Sequence, residues 1–225
     1  MEGGAGSLGP GGNEGPLGRL SLAAVGPRDR NPPNPGVVAF DMDMTLVDSR
    51  PVSRRVLERL VAEHGYDLDV ELLMERYGLP MSSWLPEGCD HELFQALQLQ
   101  DVTSAEPMPG ALEAVAAARA LGNRVIVVTA APRPVVLEIL RELDLVVDRV
   151  WAGVWAAEKA GPLREAGSWA FVGDHADDMS AAHEAGAVAV GVATGTSRPS
   201  GADVVLDDLT AFASWLADSS PRLVA

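Results

Sequence analysis

The sequence predicts an α/β fold: a parallel β-sheet covered by helices on both faces, with a small helical segment set into it near the start. Three observations carry this expectation. After Pro107, short apolar runs alternate with stretches of helical period. The runs at 125–128, 169–172 and 188–192 are continuous rather than alternating, as in strands buried on both faces. Between 51 and 106 only helical patterns occur, so this segment separates the first strand from the second.

Each element has a local reason. Residues 1–36 hold 10 of the 23 glycines and 6 of the 16 prolines, and their charges cancel. Such a stretch buries too little apolar area to offset ordering entropy, so a disordered tail is expected. Val37-Val38-Ala39-Phe40 is a short buried strand ending at Asp41, and Asp48-Ser49-Arg50-Pro51 reads as a polar turn. Helical period follows at 52–64, with Val56, Leu57, Leu60 and Val61 in one stripe, and again at 70–77 and 91–99. Pro80, Pro86 and Gly88 interrupt it. The Ala-rich stretch 110–121 is a helix closed by Gly122. Strand 125–128 ends at Thr129, helix 134–143 follows, then a short strand near 149–152 and a short helix beginning near Pro162. Strand 169–172 ends at Gly173-Asp174, and helix 177–185 stops at Gly186. Strands at 188–192 and 203–206 and a helix at 209–216 complete the pattern. The expected domains are a tail, 1–36, an α/β core made of 37–50 and 107–225, and a helical cap, 51–106.

Composition narrows the function. The 225 residues are 47% hydrophobic, enough for one sizeable core. A net charge of −15, all of it beyond residue 36, repels phosphate backbones and anionic membranes, so neither nucleic acid nor membrane is an expected partner. The single cysteine, Cys89, allows no intrachain disulfide. No apolar run approaches the roughly 18 residues of a membrane span. No basic flank precedes an apolar stretch at the N-terminus, and a cytoplasmic protein is expected.

In a covered parallel sheet, ligands gather at the carboxyl ends of the strands. Asp41, Thr129 and Asp174 each directly follow a strand. Were Asp41, Asp43, Asp174 and Asp178 to converge, one pocket would carry up to four negative charges. At an effective dielectric of about 20, two like charges about 4 Å apart repel by roughly 4 kcal/mol. Such a pocket needs a cation, and a few oxygen ligands with room for water suit Mg2+. Lys159 adds a fixed positive charge. A cation and a lysine beside carboxylates form a receptor for a phosphoryl group, which lets an acidic protein bind an anion.

Asp41-Met42-Asp43-Met44-Thr45 after one strand, Thr129 after the next, then Lys159, then Gly173-Asp174 with Asp178, resemble in this order the haloacid dehalogenase superfamily of aspartate-nucleophile phosphohydrolases. The nearest resemblance is to its phosphoglycolate phosphatase-like members with a helical cap, and it spans about residues 37–216. It implies a Rossmann-like three-layer core. It implies Asp41 as the nucleophile that forms an aspartyl-phosphate, and Asp43 as the acid that protonates the leaving alkoxide and then the base that activates water. Mg2+ would be held by Asp41, the backbone carbonyl of Asp43 and Asp174, with Asp178 orienting the metal shell. Thr129 would donate to a phosphoryl oxygen, Ala130 would join it in the phosphate site, and Lys159 would neutralise charge during transfer. Asp43 also separates the chemistries of this superfamily. A halide leaves without a proton, whereas an alkoxide needs one, so an acid at this position favours phosphate esters.

Asp177 competes with Asp178 as the second acid of the last motif, although the three-residue gap after Asp174 favours Asp178. His175 stands where the family often has Ser or Thr, and Ala130-Ala131 stand where related phosphatases often have Asn-Lys. The stretch 196–201 is short and holds a proline where relatives often have a helix. His64, His91 and His183 show no partner in the sequence, and Arg76, Ser82, Ser83 and Trp84 are the cap's candidates to face substrate. The expected activity is Mg2+-dependent hydrolysis of a small phosphorylated metabolite by a monomer or homodimer. The alternatives are a phosphosugar mutase and a non-catalytic phosphoaspartate signalling module.

Overall fold

In chain order the described elements are β1 (Val37–Phe40), β2 (Val47–Asp48), α1 (Arg50–His64), α2 (Val70–Met74), α3 (His91–Asp101), β3 (Glu106–Pro107), α4 (Ala111–Ala120), β4 (Arg124–Val128), α5 (Arg133–Glu142), β5 (Arg149–Trp151), α6 (Ala160–Ala166), β6 (Ser168–Gly173), α7 (Ala176–Ala185), β7 (Val188–Val192), β8 (Val204–Leu206) and α8 (Phe212–Ser219). The structure, a computed structural model, describes residues 1, 36–78, 85, 88–194 and 198–219. The expected disordered tail (Gly36 and Met1 apart), Pro80, Ser82, Ser83, Trp84, Pro86 and the start of the 196–201 stretch lie outside the described residues.

Six strands form one parallel sheet in the order β5-β4-β1-β6-β7-β8. From β1 the chain fills one side with β4 and β5, then crosses to the other with β6, β7 and β8. That reversal leaves a crevice at the carboxyl ends of β1, β4 and β6, where an open α/β sheet receives its ligands. This is the Rossmann-like architecture expected from the alternation of apolar runs and helical stretches.

Alternation along each strand splits the core into two layers. Val38 and Phe40 of β1, with Val125, Val127 and Val172, pack toward α4, α5 and α8 through Val115, Val136, Ile139 and Phe212. Val37 and Ala39, with Ile126, Val128 and Phe171, pack toward α6 and α7 through Ala160, Leu163, Met179 and Ala182. Because both faces are covered, neither set of positions is polar, which explains the continuous apolar runs. Gly110 enters α4 at φ 79°, and a Cβ there would lie 2.3 Å from the Thr210 backbone nitrogen, so only glycine allows this approach.

The stretch Asp48-Ser49-Arg50-Pro51 is not a loose turn. Asp48 ends β2, which pairs antiparallel with β3 through Val47–Pro107 and Asp48–Glu106. Ser49 directly precedes α1 without a side-chain bond to it, and Pro51 sits in the first turn, where a missing N–H costs no bond. Two-residue strands carry no usable period, so the sequence alone concealed this ladder, which pins together both ends of the helical segment. The predicted helix at 70–77 is also shorter. It ends at Met74, and the following turns fold Tyr77 inward to 7% exposure. Within the segment α1 packs on α2 and α3, and α3 packs on α5. The apolar cluster of Phe40 continues through Met42 to Leu57, Leu60 and Phe94, so these helices share the core of the sheet. No helix among the described residues is long and apolar enough to cross a membrane.

Candidate active site

The carboxyl ends of β1, β4 and β6 converge on one small cavity of about 40 Å³. Asp41, Asp43, Thr129, Ala130, Lys159, Asp174, Asp177 and Asp178 all line it, so every residue singled out by the motifs reaches one place. The strand period explains the first of them. Asp41 continues the register of Val37 and Ala39, and so faces the α6–α7 layer. Its backbone N–H donates to the Val172 carbonyl at 2.8 Å, which ties it to β6.

Lys159 closes the short helical turn before α6 and is 3% exposed. Its Nζ donates to Asp41 Oδ1 at 2.8 Å and to Asp178 Oδ1 at 2.6 Å. Phe171 and Trp155 offer their ring faces 5.7 and 6.0 Å from the same ammonium. Burial works against the lysine's charge, but Asp41 and Asp178 outweigh it and hold the pKa above its ordinary value.

Asp178 has two tasks. Its second oxygen accepts the His175 backbone N–H at 3.3 Å, forming a capping box at the start of α7. It lies directly over Gly173: a Cβ on that glycine would sit 2.5 Å from Asp178 Oδ2. The glycine before Asp174 is therefore the space that Asp178 occupies. Asp177 remains partly exposed beside His175, whose Nδ1 accepts the Asp177 backbone N–H at 3.1 Å. That bond makes His175 the cap of α7, with its ring 5.8 Å from that of Trp155. His183 has a partner after all, Asp203 at 3.2 Å, remote in sequence and on the protein's surface.

One ligand-capable oxygen from each of Asp41, Asp174 and Asp178 lies within 4.8 Å of the others. Three carboxylates against one ammonium leave two charges unbalanced. The electrostatics follow: burial lifts the Asp41 carboxyl well above its usual range, Lys159 opposes the rise, and Asp178, Asp174 and Asp43 add to it. Burial together with Asp178 pushes Asp174 up to about 7 against the pull of Lys159. A hard dication relieves this strain with the all-oxygen donor set it prefers, so the residues present fit Mg2+. Thr45, whose Oγ1 lies 3.5 Å from Asp174 Oδ1, steadies that carboxylate.

Asp43 is set apart from this cluster. Its carboxylate accepts from Ser49 Oγ, and Ser49 Oγ in turn lies 2.6 Å from the Tyr77 hydroxyl. Tyr77 also hydrogen-bonds Asp43, so the acid rests on a pair of hydroxyls. Burial raises the Asp43 pKa, opposed by Ser49, Lys159 and Tyr77. Burial also lifts the Tyr77 phenol, which keeps its proton. The sequence did not point to Ser49 or Tyr77. Ser49 lay in the supposed turn and Tyr77 at the supposed helix end, and no local spacing links either to Asp43.

Thr129 is 1% exposed and its Oγ1 accepts the Ala131 backbone N–H at 3.1 Å, which leaves its O–H as a donor. Met44 and Ala156 line the same cavity at φ 60° and 48°, a left-handed conformation costing about 1–3 kcal/mol in a residue with a Cβ. Strain at both walls is held by the surrounding bonds, among them Met44 N–H to Val47 O at 2.8 Å.

Known proteins share this fold. A haloacid dehalogenase-like family hydrolase from Streptococcus pneumoniae superposes with a TM-score of 0.67 at 14% identity, covering 80% of this chain and 98% of its own. A haloacid dehalogenase family hydrolase from Deinococcus radiodurans R1, solved with bound phosphate and sodium, gives 0.61 at 20% identity, covering 81% and 95%. A predicted phosphoglycolate phosphatase from Haemophilus somnus 129PT gives 0.60 at 21% identity, covering 80% and 96%. No curated protein matches by sequence. The profile of the haloacid dehalogenase-like hydrolases matches residues 38–183, which hold every carboxylate of the site, and the chain belongs to that family.

Proposed function

We propose that this protein is a Mg2+-dependent phosphatase that hydrolyses a small phosphate monoester through an aspartyl-phosphate. One observation carries the reading: two acids two residues apart are held in opposite environments. Asp41 is bound by a buried lysine within the carboxylate cluster, while Asp43 is bound by a hydroxyl pair. The first arrangement suits a nucleophile and the second a proton carrier.

In this reading, Asp41 attacks phosphorus and the ester oxygen leaves with the proton of Asp43. The carboxylate of Asp43 then takes a proton from water as that water attacks the acyl phosphate, returning Asp41 and releasing inorganic phosphate. Tyr77 and Ser49 hold Asp43 in place through both half-reactions. Lys159 and the Thr129 hydroxyl meet the phosphoryl oxygens. Asp41, the Asp43 carbonyl, Asp174 and Asp178 are the groups that would hold Mg2+, which when bound supplies positive charge opposite the transferring oxygens. The helical segment 51–106, which reaches the cavity at Gly78, acts as the cap and screens the acyl phosphate from bulk water.

The bound phosphate in the Deinococcus relative and the naming of the Haemophilus relative support a phosphoryl substrate. Asp41→Asn tests the proposal. Turnover of phenyl phosphate with Mg2+ should fall by at least about a thousandfold while the circular dichroism and melting temperature stay near wild type. Retained Mg2+-dependent turnover in that variant would refute the mechanism.

A further inference from the structure

Beside the catalytic cavity lies a second one of about 280 Å³. Asp43, Gly78, Ala130 and Trp155 line both, so the two are continuous at the acid. The second holds the volume of about nine water molecules at liquid density, far more than a two-carbon acid needs. Val52 of α1 and Gln98 of α3 close it from the helical segment, and Val135 and Ile139 of α5 from the sheet side.

Its chemistry is one-sided. Apart from Asp43 at the shared mouth, none of its described lining residues is charged. Lys159, the cation of the neighbouring cavity, is already engaged by two carboxylates. A leaving group with its own negative charge would enter a low-dielectric space, meet Asp43 and find no counter-charge. The serine and tyrosine hydroxyls of the wall are committed to one another, since Ser49 and Ser53 both hydrogen-bond Tyr77. Gln98 turns no acceptor to the cavity, because its Oε1 is buried beyond the reach of a water-sized group.

We propose that this cavity receives the alcohol half of the substrate, and that this alcohol is uncharged and mainly apolar. Esters with a second anionic group, phosphoglycolate among them, are then poor substrates. The inference rests on the phosphatase reading above, and two measurements separate them.

The first is Mg2+-dependent phosphate release from phenyl phosphate, 4-(hydroxymethyl)phenyl phosphate, 4-carboxyphenyl phosphate and phosphoglycolate. The hydroxymethyl ester should exceed the carboxylate ester at least tenfold in kcat/KM. Equal or better use of either carboxylate-bearing ester overturns the inference. The second is binding of 4-hydroxybenzyl alcohol, which holds no phosphorus, followed by tryptophan fluorescence. Saturable quenching that disappears in Trp155→Phe supports the assignment, and an absence of saturable quenching counts against it. If the alcohol binds and no ester is hydrolysed, the phosphatase reading fails and the cavity assignment stands. If esters are hydrolysed without preference and the alcohol does not bind, the reverse holds.

Discussion

Two adjoining cavities in this protein are built on opposite principles. The smaller, about 40 Å³, sits at the ends of β1, β4 and β6 and is lined by five aspartates and one lysine. The larger, about 280 Å³, lies under the helical segment and is lined mainly by aliphatic, aromatic and small residues. In the first, burial and charge decide together: burial and the neighbouring carboxylates raise the pKa of Asp41 and Asp174, and one buried ammonium opposes them. In the second, packing decides shape, and Asp43 alone among the described lining residues carries charge. The difference teaches that chemistry and selectivity reside in separate materials here. The charged end depends on residues no neighbour can replace, while the apolar end can change its occupant without touching the reaction.

The strongest way to break the contrast is to remove the cation of the charged end. Lys159→Met leaves Asp41 and Asp178 buried without their partner, a change that costs about 3–5 kcal/mol when one member of a buried ion pair is lost. Urea denaturation of the metal-free protein should show that loss. Turnover should fall by about a hundredfold or more, as expected for removing a donor aimed at developing charge.

A smaller effect is expected where geometry alone is altered. Gly173→Ala keeps every charge but puts a methyl 2.5 Å from Asp178 Oδ2. Overpacking of this kind costs about 1–3 kcal/mol. Because Asp178 must move, the capping box of α7 and the grip on Lys159 loosen together, and activity should fall alongside the midpoint of thermal unfolding. Full activity with a lowered midpoint would show that Asp178 is only a helix cap.

The mildest change probes the hinge between the two cavities. Tyr77→Phe removes the hydroxyl that bonds Ser49 and Asp43 and leaves Asp43 itself in place. Turnover of an alkyl phosphate, whose leaving group needs a proton, should drop by about tenfold. Turnover of 4-nitrophenyl phosphate, whose leaving group does not, should change little. An equal drop for both would assign Tyr77 to packing rather than to holding the acid.

The two ends also differed in how far they could be read in advance. Asp41, Thr129 and Asp174 were legible because each directly follows an apolar run, and a parallel sheet brings strand ends together whatever their separation in the chain. Lys159 stood out as a motif member, but its burial and its double pairing with Asp41 and Asp178 depend on where α6 and α7 lie. Ser49 was hidden by a two-residue strand too short to show a period, and Tyr77 by a helix that stops three residues early. The partner of His183, twenty residues away, was invisible for the same reason.

The sequence by itself determined the class of fold, the order of strands and helices in the core, and the acids and lysine of the charged cavity. It could do so because hydrophobic period and strand-end position are local properties of the chain. Only the tertiary structure decided that Asp43 rests on Ser49 and Tyr77, that Gly173 is the seat of Asp178, and that an apolar chamber opens beside the acid. Those are contacts across the fold, set by how helices pack on a sheet, and no spacing along the chain encodes them.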